Sequence, residues 1–89
     1  MAQVYFTARL RSVVASSPIE VAGQTVGEAL AAVFAENPQA KSYVLDEQGA
    51  LRQHVCVFLD GERLLNNNAL QELLREGAEI YVMQALSGG

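Results

Sequence analysis

The sequence contains one cysteine, one histidine and no tryptophan in its 89 residues. The single cysteine, Cys56, cannot form an internal disulfide. The first residues also lack the basic and apolar series that is typical of a secretory signal. Both observations predict a protein of the reducing cytoplasm.

Long apolar runs and a basic charge excess are missing as well. The longest apolar runs, residues 29–35 and 55–59, are much shorter than the roughly 18–20 residues of a membrane-spanning helix. The net charge of −4 argues against a nucleic-acid backbone as the partner, and a basic protein surface fits this charge better. We therefore expect neither a membrane nor a nucleic acid as a partner.

The length and composition of the chain indicate one globular domain. A chain of 89 residues buries roughly 60–65% of its unfolded surface, which is enough for one modest core. A hydrophobic fraction of 51% is ordinary for such a domain. We predict a domain over residues 1–85, followed by a flexible tail over residues 86–89.

Residues 3–10 alternate between apolar and polar or aromatic side chains, which predicts a strand with Val4, Phe6 and Ala8 in the core. Residues 18–21 predict a second strand, joined to the first as a hairpin, and the proline at its start favours an edge position. A main helix follows. Its predicted inward-facing stripe has the spacing of an amphipathic helix and consists of Val26, Ala29, Leu30, Val33 and Phe34.

The residues at both ends of this main helix have the sequence patterns that begin and end helices. Thr25 followed by Glu28 forms a capping box, in which the hydroxyl and the carboxylate accept hydrogen bonds from otherwise unpaired backbone N–H groups. Asn37-Pro38 ends the helix, because the residue before a proline avoids helical geometry. Residues 40–45 predict a further short turn of helix. Its apolar residues are expected to close one end of the core: Tyr43, Val44 and Leu45.

The second half of the chain predicts further strands and one helical turn. Residues 54–59 are rich in β-branched and aromatic side chains and end at the hairpin-turn dipeptide Asp60-Gly61. A short return follows over residues 62–65, and a last strand is expected over residues 80–85. Between them, residues 69–75 predict a helical turn that anchors three leucines. The residues expected to face inward are Val55, Val57, Leu59, Leu70, Leu73, Leu74, Ile80 and Val82.

The sequence ends with Leu86-Ser87-Gly88-Gly89. Glycine has no Cβ, so a Gly-Gly end is a thin thread whose reactive group is the α-carboxylate, and it can enter a narrow active site. An ATP-dependent enzyme can activate such an unhindered carboxylate by adenylation. The alternative is a frayed end without a function, since glycines are common at disordered termini.

The element order, with one long helix and a Gly-Gly end, predicts an α+β fold and resembles the β-grasp of ubiquitin-like proteins. Two segments are more specific. Gln53 to Glu62 and Glu76 to Val82 resemble the corresponding strands and turns of the ThiS/MoaD sulfur-carrier family, and Gly88-Gly89 matches that family's terminus. The resemblance covers the whole chain. Residues 84–86 depart from the proline-containing approach that is common in the family, so the particular partner stays open.

The resemblance implies a sulfur carrier that is a protein cosubstrate and no enzyme. An E1-like adenylyltransferase would use ATP to activate Gly89, and sulfur would then replace AMP to leave a C-terminal thiocarboxylate. Gly88 and Gly89 would make the tail thin enough to reach into an active site, and Leu86 would give the tail a hydrophobic contact with the partner. Ser87 is the remaining residue of this tail. A synthase would accept the sulfur in a pathway of the molybdopterin, thiamine, cysteine or tRNA-thiolation type. No cofactor is expected to stay bound to the carrier.

Two alternatives stay open. A ubiquitin-like modifier would use the same activated Gly89 to form an isopeptide bond with a lysine of a target protein. A plain β-grasp interaction domain would not use its glycines at all. Conjugates on a denaturing gel, a sulfur-for-oxygen mass change and deletion of the tail distinguish the three.

Strand alternation also predicts a docking patch on the face of the sheet away from the main helix. Its members are Tyr5, Phe58, Tyr81 and Met83. A cluster of aromatic residues and methionine beside the tail-bearing strand is typical of a protein-binding surface. In the competing interpretation, Arg9 and residues 11–17 fold over these side chains.

Other reactive side chains do not form a motif. Cys56 has no basic neighbour and is expected to be a packing residue. His54 has no metal-ligand spacing and no triad motif around it, so we expect a strand-entry role and no metal site. The dispersed glycines do not form a phosphate-binding loop, and the dispersed acidic residues are expected on a solvated surface.

Overall fold

The fold is taken from a computed structural model, which describes residues 1–6, 18–65 and 68–84, with Gln84 described by its backbone alone. The predictions for residues 7–17, including Ala8 and Arg9, lie outside these ranges, as do those for Asn66, Asn67 and the tail. The strands and helices of the described residues are β1 (Ala2–Phe6), β2 (Ile19–Val21), α1 (Val26–Glu36), α2 (Pro38–Val44), β3 (Val55–Leu59), β4 (Glu62–Arg63), a 3₁₀ turn (Ala69–Gln71) and β5 (Glu79–Gln84).

The strands form one mixed sheet in the order β2-β1-β5-β3-β4. β5 is the central strand, parallel to β1 and antiparallel to β3. β1 pairs with β2, and β3 pairs with β4, each as an antiparallel hairpin pair. The predicted mixed sheet with one main helix on one face is confirmed, and β2 is an edge strand as its proline indicated.

Helix α1 has the predicted capping box and the predicted buried stripe. The Thr25 hydroxyl accepts a hydrogen bond from the Glu28 backbone N–H at 3.1 Å, and the Glu28 carboxylate accepts one from the Gln24 backbone N–H at 2.9 Å. All five stripe residues are buried. The helix ends at Glu36, followed by the cap residue Asn37, whose backbone N–H donates to the Val33 carbonyl at 3.0 Å.

The core lies between α1 and one face of the sheet. Strand residues and helix residues that face each other there are almost completely excluded from solvent. The largest fully buried side chains are Leu30, Ile80, Val4, Val26, Val33, Val44, Val55, Val57 and Val82. We call this side of the sheet the covered face and the opposite side the open face.

One glycine allows α1 to approach the 3₁₀ turn closely. A Cβ atom at Gly27 would lie 2.9 Å from the carbonyl oxygen of Leu70, which is shorter than real Cβ contacts allow. Gly27 therefore fits because it has no side chain. This contact positions the segment between β4 and β5 against the first turn of the helix.

The prediction of a core position is wrong for two residues, Tyr43 and Leu73. Tyr43 is 53% exposed, because α2 buries a narrow stripe of small side chains, Ala40 and Val44, and Tyr43 lies beside that stripe. Leu73 is 74% exposed, because the helical turn ends at Gln71 and the backbone beyond it is extended. In an extended segment neighbouring side chains alternate. Four further leucines expected inside are partly buried against the core: Leu45, Leu59, Leu70 and Leu74.

Candidate functional site

A row of three aromatic side chains crosses the open face. Tyr5 on β1 lies opposite Tyr81 on β5, and Tyr81 lies opposite Phe58 on β3. The Tyr5 and Tyr81 rings are stacked, with centroids 4.4 Å apart and an angle of 7° between their planes. We call these three residues the aromatic row. All three are partly buried, so each ring still exposes part of its surface.

The next row toward the end of β5 contains two sulfur-bearing side chains. Met83 lies opposite Cys56, and both are partly buried. The four residues of the predicted docking patch therefore share the open face, as strand alternation predicted. A docking role for them stays a prediction.

Two further residues of the open face were not included in the predicted patch. Cys56 was expected to be an inert packing residue, and it lies beside Met83 at the margin of the aromatic row. Arg63 on β4 lies opposite Phe58, so it is the residue of β4 that continues the aromatic row in the register. The hairpin dipeptide Asp60-Gly61 fixes this register, and counting outward from the turn along both strands would have paired Phe58 with Arg63 from the sequence alone.

The tyrosine at the β1 end of the aromatic row has a polar partner. The Tyr5 hydroxyl donates a hydrogen bond to Gln3 Oε1 at 2.9 Å. Burial and the nearby carboxylate of Glu79 both raise the pKa of Tyr5 above its ordinary value. Tyr5 is therefore neutral at physiological pH and presents an uncharged, hydrogen-bonded edge of the patch.

The two segments that resemble the ThiS/MoaD family meet at Asp60. Its backbone adopts a positive φ of 51°, followed by 90° at Gly61, which is the geometry of a tight hairpin turn of the primed type. Asp60 Oδ1 accepts the Glu79 backbone N–H at 3.0 Å, and Asp60 Oδ2 accepts Arg75 Nε at 3.2 Å. The Asp60 backbone N–H in turn donates to the Glu79 carbonyl at 2.9 Å.

These contacts lower the pKa of Asp60 below its ordinary value, and the hydrogen bond from the Glu79 backbone is the main cause. A side chain in the turn thus fastens the β3–β4 hairpin to the first residue of β5. Phe58 and Tyr81 lie next to this junction in the register. The same contacts therefore help to hold the aromatic row in place.

The central strand leads to the predicted tail. β5 pairs on both sides, and its last residue, Gln84, lies opposite Val55 at the start of β3. The tail residues Leu86, Ser87, Gly88 and Gly89 lie outside the described residues. Gly89, the predicted adenylation site, therefore follows a strand that is anchored between two neighbours.

Within residues 1–6, 18–65 and 68–84, no group of His, Cys, Asp and Glu side chains has the arrangement of a metal site. No helix in these ranges is both long enough and apolar enough to span a bilayer. His54 is exposed just before β3. Three of the dispersed glycines, Gly49, Gly61 and Gly77, have positive φ values in turns.

Comparison with known proteins identifies relatives along the whole chain. The sequence model of the ThiS family matches residues 4–89. The crystal structure of SAMP1 from Haloferax volcanii is similar with a TM-score of 0.80 and 31% sequence identity, and the alignment covers 99% of this chain and 98% of that one. No curated protein matches the chain.

Two structures of proteins named CysO are similar at lower sequence identity. A chain of the Amycolatopsis orientalis BexX/CysO complex has a TM-score of 0.87 and 21% identity, with full coverage of both chains (100% each). CysO from Mycobacterium tuberculosis has a TM-score of 0.85 and 17% identity, with coverage of 97% of this chain and 100% of that one. These similarities confirm the ubiquitin-like β-grasp fold. The match over residues 4–89 places this chain in the ThiS family, the sulfur-carrier family that its sequence segments resemble.

Proposed function

We propose that this protein is a cytoplasmic sulfur carrier whose working group is the carboxylate of Gly89. The observation that supports this proposal is the match to the ThiS family, which extends through Gly88 and Gly89. The central position of β5 fits the role, because a tail that follows an anchored strand is presented at a defined place on the protein. The protein itself is a cosubstrate and performs no catalysis.

The proposed chemistry has two steps, both catalysed by a partner. An E1-like adenylyltransferase joins the Gly89 carboxylate to the AMP part of ATP, and pyrophosphate leaves. Hydrosulfide then attacks the acyl carbon, the bond to the AMP oxygen breaks, AMP leaves, and a C-terminal thiocarboxylate results. A thiocarboxylate is ionised and polarisable, so it can transfer its sulfur to an electrophile that an acceptor synthase holds.

The open face is the proposed docking surface for these partners. The four residues of the predicted docking patch lie on the sheet whose central strand, β5, precedes the tail, so a partner bound there is close to that strand. They are Tyr5, Phe58, Tyr81 and Met83. Exposed aromatic and methionine side chains are enriched in protein interfaces. The CysO protein of A. orientalis forms a complex with BexX, which supports partner binding by a protein of this fold.

The first experiment measures activation of Gly89. The protein is incubated with ATP and each E1-like adenylyltransferase of its own organism, and pyrophosphate release is recorded. We expect release with the wild type and none after deletion of Gly89. With a sulfur donor added, the intact mass should change by one oxygen-to-sulfur exchange. The mass of the native protein must also show Gly89 as the last residue.

Thermal melting is the control for the Gly89 deletion. The melting temperature should barely change, because Gly89 follows the last strand in sequence and has no side chain to bury. Adenylation of the deleted protein would contradict the proposal. A deletion that unfolds the protein would contradict the assignment of a tail separate from the fold.

A second candidate function is a ubiquitin-like modifier. Two similar structures of H. volcanii proteins, at 31% and 28% identity, are described as SAMP1 and as small archaeal modifier protein 1. Both candidate functions share adenylation of Gly89. They differ in the nucleophile that then attacks, which is sulfur for the carrier and a lysine amine for the modifier. Bands of higher mass that survive denaturation and reduction would show conjugation.

A further inference from the structure

The pairing of β3 with β5 continues by one residue into the hairpin turn. Leu59 lies opposite Ile80, so the next pair along the two strands is Asp60 and Glu79. The Asp60 backbone N–H donates to the Glu79 carbonyl oxygen at 2.9 Å, as in a regular antiparallel pair. The second bond of this pair differs, because the Glu79 backbone N–H donates to Asp60 Oδ1 at 3.0 Å. A side-chain oxygen thus accepts the hydrogen bond that a backbone carbonyl normally accepts.

The backbone of Asp60 explains this exchange of acceptors. Its φ of 51° is left-handed, so the chain has already left the extended geometry of β3 at this residue. Aspartate tolerates a positive φ better than most residues with a side chain, and its carboxylate supplies acceptor oxygens. Asp60 therefore allows the chain to turn and still satisfies the first N–H group of β5.

Glu79 connects this junction to the other end of the aromatic row. It lies opposite Gln3 on β1, and Gln3 Oε1 accepts the hydrogen bond of the Tyr5 hydroxyl at 2.9 Å. Burial and then the carboxylate of Glu79 raise the pKa of Tyr5, so this carboxylate lies close to the Tyr5 side chain. A continuous series of contacts therefore runs from the hairpin turn across β5 to Tyr5.

Two further hydrogen bonds hold the start of β5. Arg75 Nε donates to Asp60 Oδ2 at 3.2 Å, and the Gln3 backbone N–H donates to the Ala78 carbonyl oxygen at 2.9 Å. The Arg75 side chain is 78% exposed, so its ion pair with Asp60 contributes little by itself. On the β3 side, the hydrogen bond from the Glu79 backbone to Asp60 is consequently the contact that matters most.

We propose that Asp60 is a positioning residue of the docking surface, which holds the aromatic row in the arrangement that the activating enzyme binds. The inference rests on the proposed function and deepens it. Phe58 lies two residues before Asp60 and Tyr81 two residues after Glu79, so both rings are at the strand ends that this junction joins. A surface that is ordered before binding loses less conformational freedom when a partner binds.

This role predicts an effect on binding of the enzyme and no effect on the chemical step. Gly89 would react inside the active site of the partner, so the maximal rate of adenylation should not depend on Asp60. The concentration of this protein that gives half-maximal adenylation should depend on it. A loss of stability alone changes neither quantity well below the melting temperature, because almost all molecules stay folded there.

The test measures pyrophosphate release with the full chain, ATP and an E1-like adenylyltransferase of the same organism. Asp60→Gly removes the carboxylate and keeps a residue that adopts positive φ without strain. We expect the half-maximal concentration to rise roughly 3- to 10-fold and the maximal rate to stay unchanged. Asp60→Asn keeps an Oδ1 acceptor for the Glu79 N–H, so its half-maximal concentration should stay within about twofold of the wild type. The ring-proton chemical shifts of Phe58 and Tyr81 should change with Asp60→Gly.

Asp46 provides a matched control. Its Oδ1 accepts hydrogen bonds from the backbone N–H groups of Gln48 and Ala50 at 2.8 and 3.0 Å, in the loop between α2 and β3. Asp46→Gly therefore changes the charge equally and also removes backbone hydrogen bonds from a turn, but outside the strands of the sheet. Its half-maximal concentration should equal that of the wild type.

Glu79→Pro tests the same hydrogen bond from the donor side. Proline has no N–H, and the first position of a strand tolerates it. The half-maximal concentration should rise as with Asp60→Gly. Glu79→Gln keeps the N–H and is the control, which should stay near the wild type. This pair of variants decides the question if Asp60→Gly does not fold.

An unchanged half-maximal concentration in Asp60→Gly, an equal rise in either control, a rise in Asp60→Asn as large as that in Asp60→Gly, or a loss of maximal rate would overturn the inference. Failure of both Asp60→Gly and Glu79→Pro to fold would also overturn it, because the bond would then be required for the fold itself. These results would leave the sulfur-carrier proposal intact. If Phe58→Asp has no effect either, the aromatic row is not the docking surface. Absence of adenylation of the wild type would instead refute the proposed function.

Discussion

The two faces of the sheet use neighbouring residues of the same strands for different purposes. On the covered face, Val57 and Val82 are completely excluded from solvent by α1 and the residues around it. On the open face, their neighbours Phe58 and Tyr81 are only partly buried. Burial of apolar surface is the main source of stability, so the covered face determines whether the chain folds. We propose that the open face determines what the folded chain binds.

The largest effect on stability is expected at the covered face. Leu30→Ala removes a side chain that is 1% exposed and leaves a cavity between α1 and the sheet. The free energy of unfolding should fall by about 2–5 kcal/mol, and by somewhat less for Val57→Ala. Urea denaturation measures both. The exposed residue Glu36 of the same helix is the control, and Glu36→Ala should change stability by less than about 0.5 kcal/mol.

A change below about 0.5 kcal/mol for Leu30→Ala would mean that α1 does not cover the sheet as described. The loss expected for Leu30→Ala is a large share of the total free energy of unfolding, because small domains have roughly 5–10 kcal/mol of stability. Urea denaturation would therefore detect it clearly.

The open face should respond in the opposite way. Phe58→Asp places a charge in the aromatic row, and interface aromatics commonly account for about 2 kcal/mol or more of binding free energy. We expect the concentration of activating enzyme that gives half-maximal adenylation to rise roughly 30-fold, while folding persists. Raising the enzyme concentration should restore part of the rate, which it cannot do for the Gly89 deletion.

Two results for Phe58→Asp would contradict the comparison of the faces. Adenylation at the wild-type rate with sub-saturating enzyme would show that the activating enzyme does not bind the aromatic row. Unfolding of the variant would show that Phe58 is needed for the core. Glu62→Ala is the control, because it changes an exposed residue of the neighbouring strand β4.

Much of this division between the faces could be predicted from the sequence. The period-two alternation in β1, β3 and β5 is a local property, and it assigned the described residues of these strands to their faces correctly. The capping box at Thr25 and Glu28 and the turn at Asp60-Gly61 are also local signals. Their contacts in the structure are the ones that the residue types require.

The errors arise where contacts between distant parts of the chain determine whether a side chain is buried or a helix continues. Tyr43 and Leu73 were expected inside, but Tyr43 lies beside the buried stripe of α2 and Leu73 follows the 3₁₀ turn in an extended segment. Pro38 was interpreted as a helix terminator, and it also begins α2, because proline is favoured in the first turn of a helix. The link from Asp60 to Glu79 joins residues that are distant in sequence, so no local pattern indicates it.

A smaller effect should come from the stacked tyrosines. Tyr5→Ala, Tyr81→Ala and the double variant form a double-mutant cycle for the pair whose centroids are 4.4 Å apart. We expect a coupling free energy of about 0.5–1.5 kcal/mol in urea denaturation. A coupling indistinguishable from zero would show that the open face adds nothing to stability through this pair. Stability would then depend on the covered face to a greater extent than the stacked rings of the open face indicate.

The smallest expected effect is a pH dependence at Asp60. Its pKa is lowered in the folded state, so the ionised carboxylate stabilises the fold above its unfolded pKa of about 3.9. This contribution is lost as the pH falls through the lowered folded pKa. Asp60→Asn keeps a residue that tolerates positive φ and removes the charge. The difference in melting temperature between wild type and variant should therefore shrink between about pH 7 and about pH 2.

A pH-independent difference would mean that the hydrogen-bond geometry at Asp60 matters and its charge does not. Arg75→Gln removes the second partner of the carboxylate and keeps the backbone hydrogen bond from Glu79. It should have a smaller effect than Asp60→Asn, because the Glu79 backbone is the main cause of the lowered pKa.

The central position of β5 has a consequence for the order of events during synthesis. Before residues 79–84 leave the ribosome, β1 can pair with β2 and β3 can pair with β4, but the sheet order provides no contact between these two hairpins. Isolated hairpins are marginally stable in water. The domain therefore reaches its folded state only after β5 has been translated and can pair with both hairpins. A nascent chain stalled before Glu79 would expose apolar strands and be a substrate for chaperones or proteases.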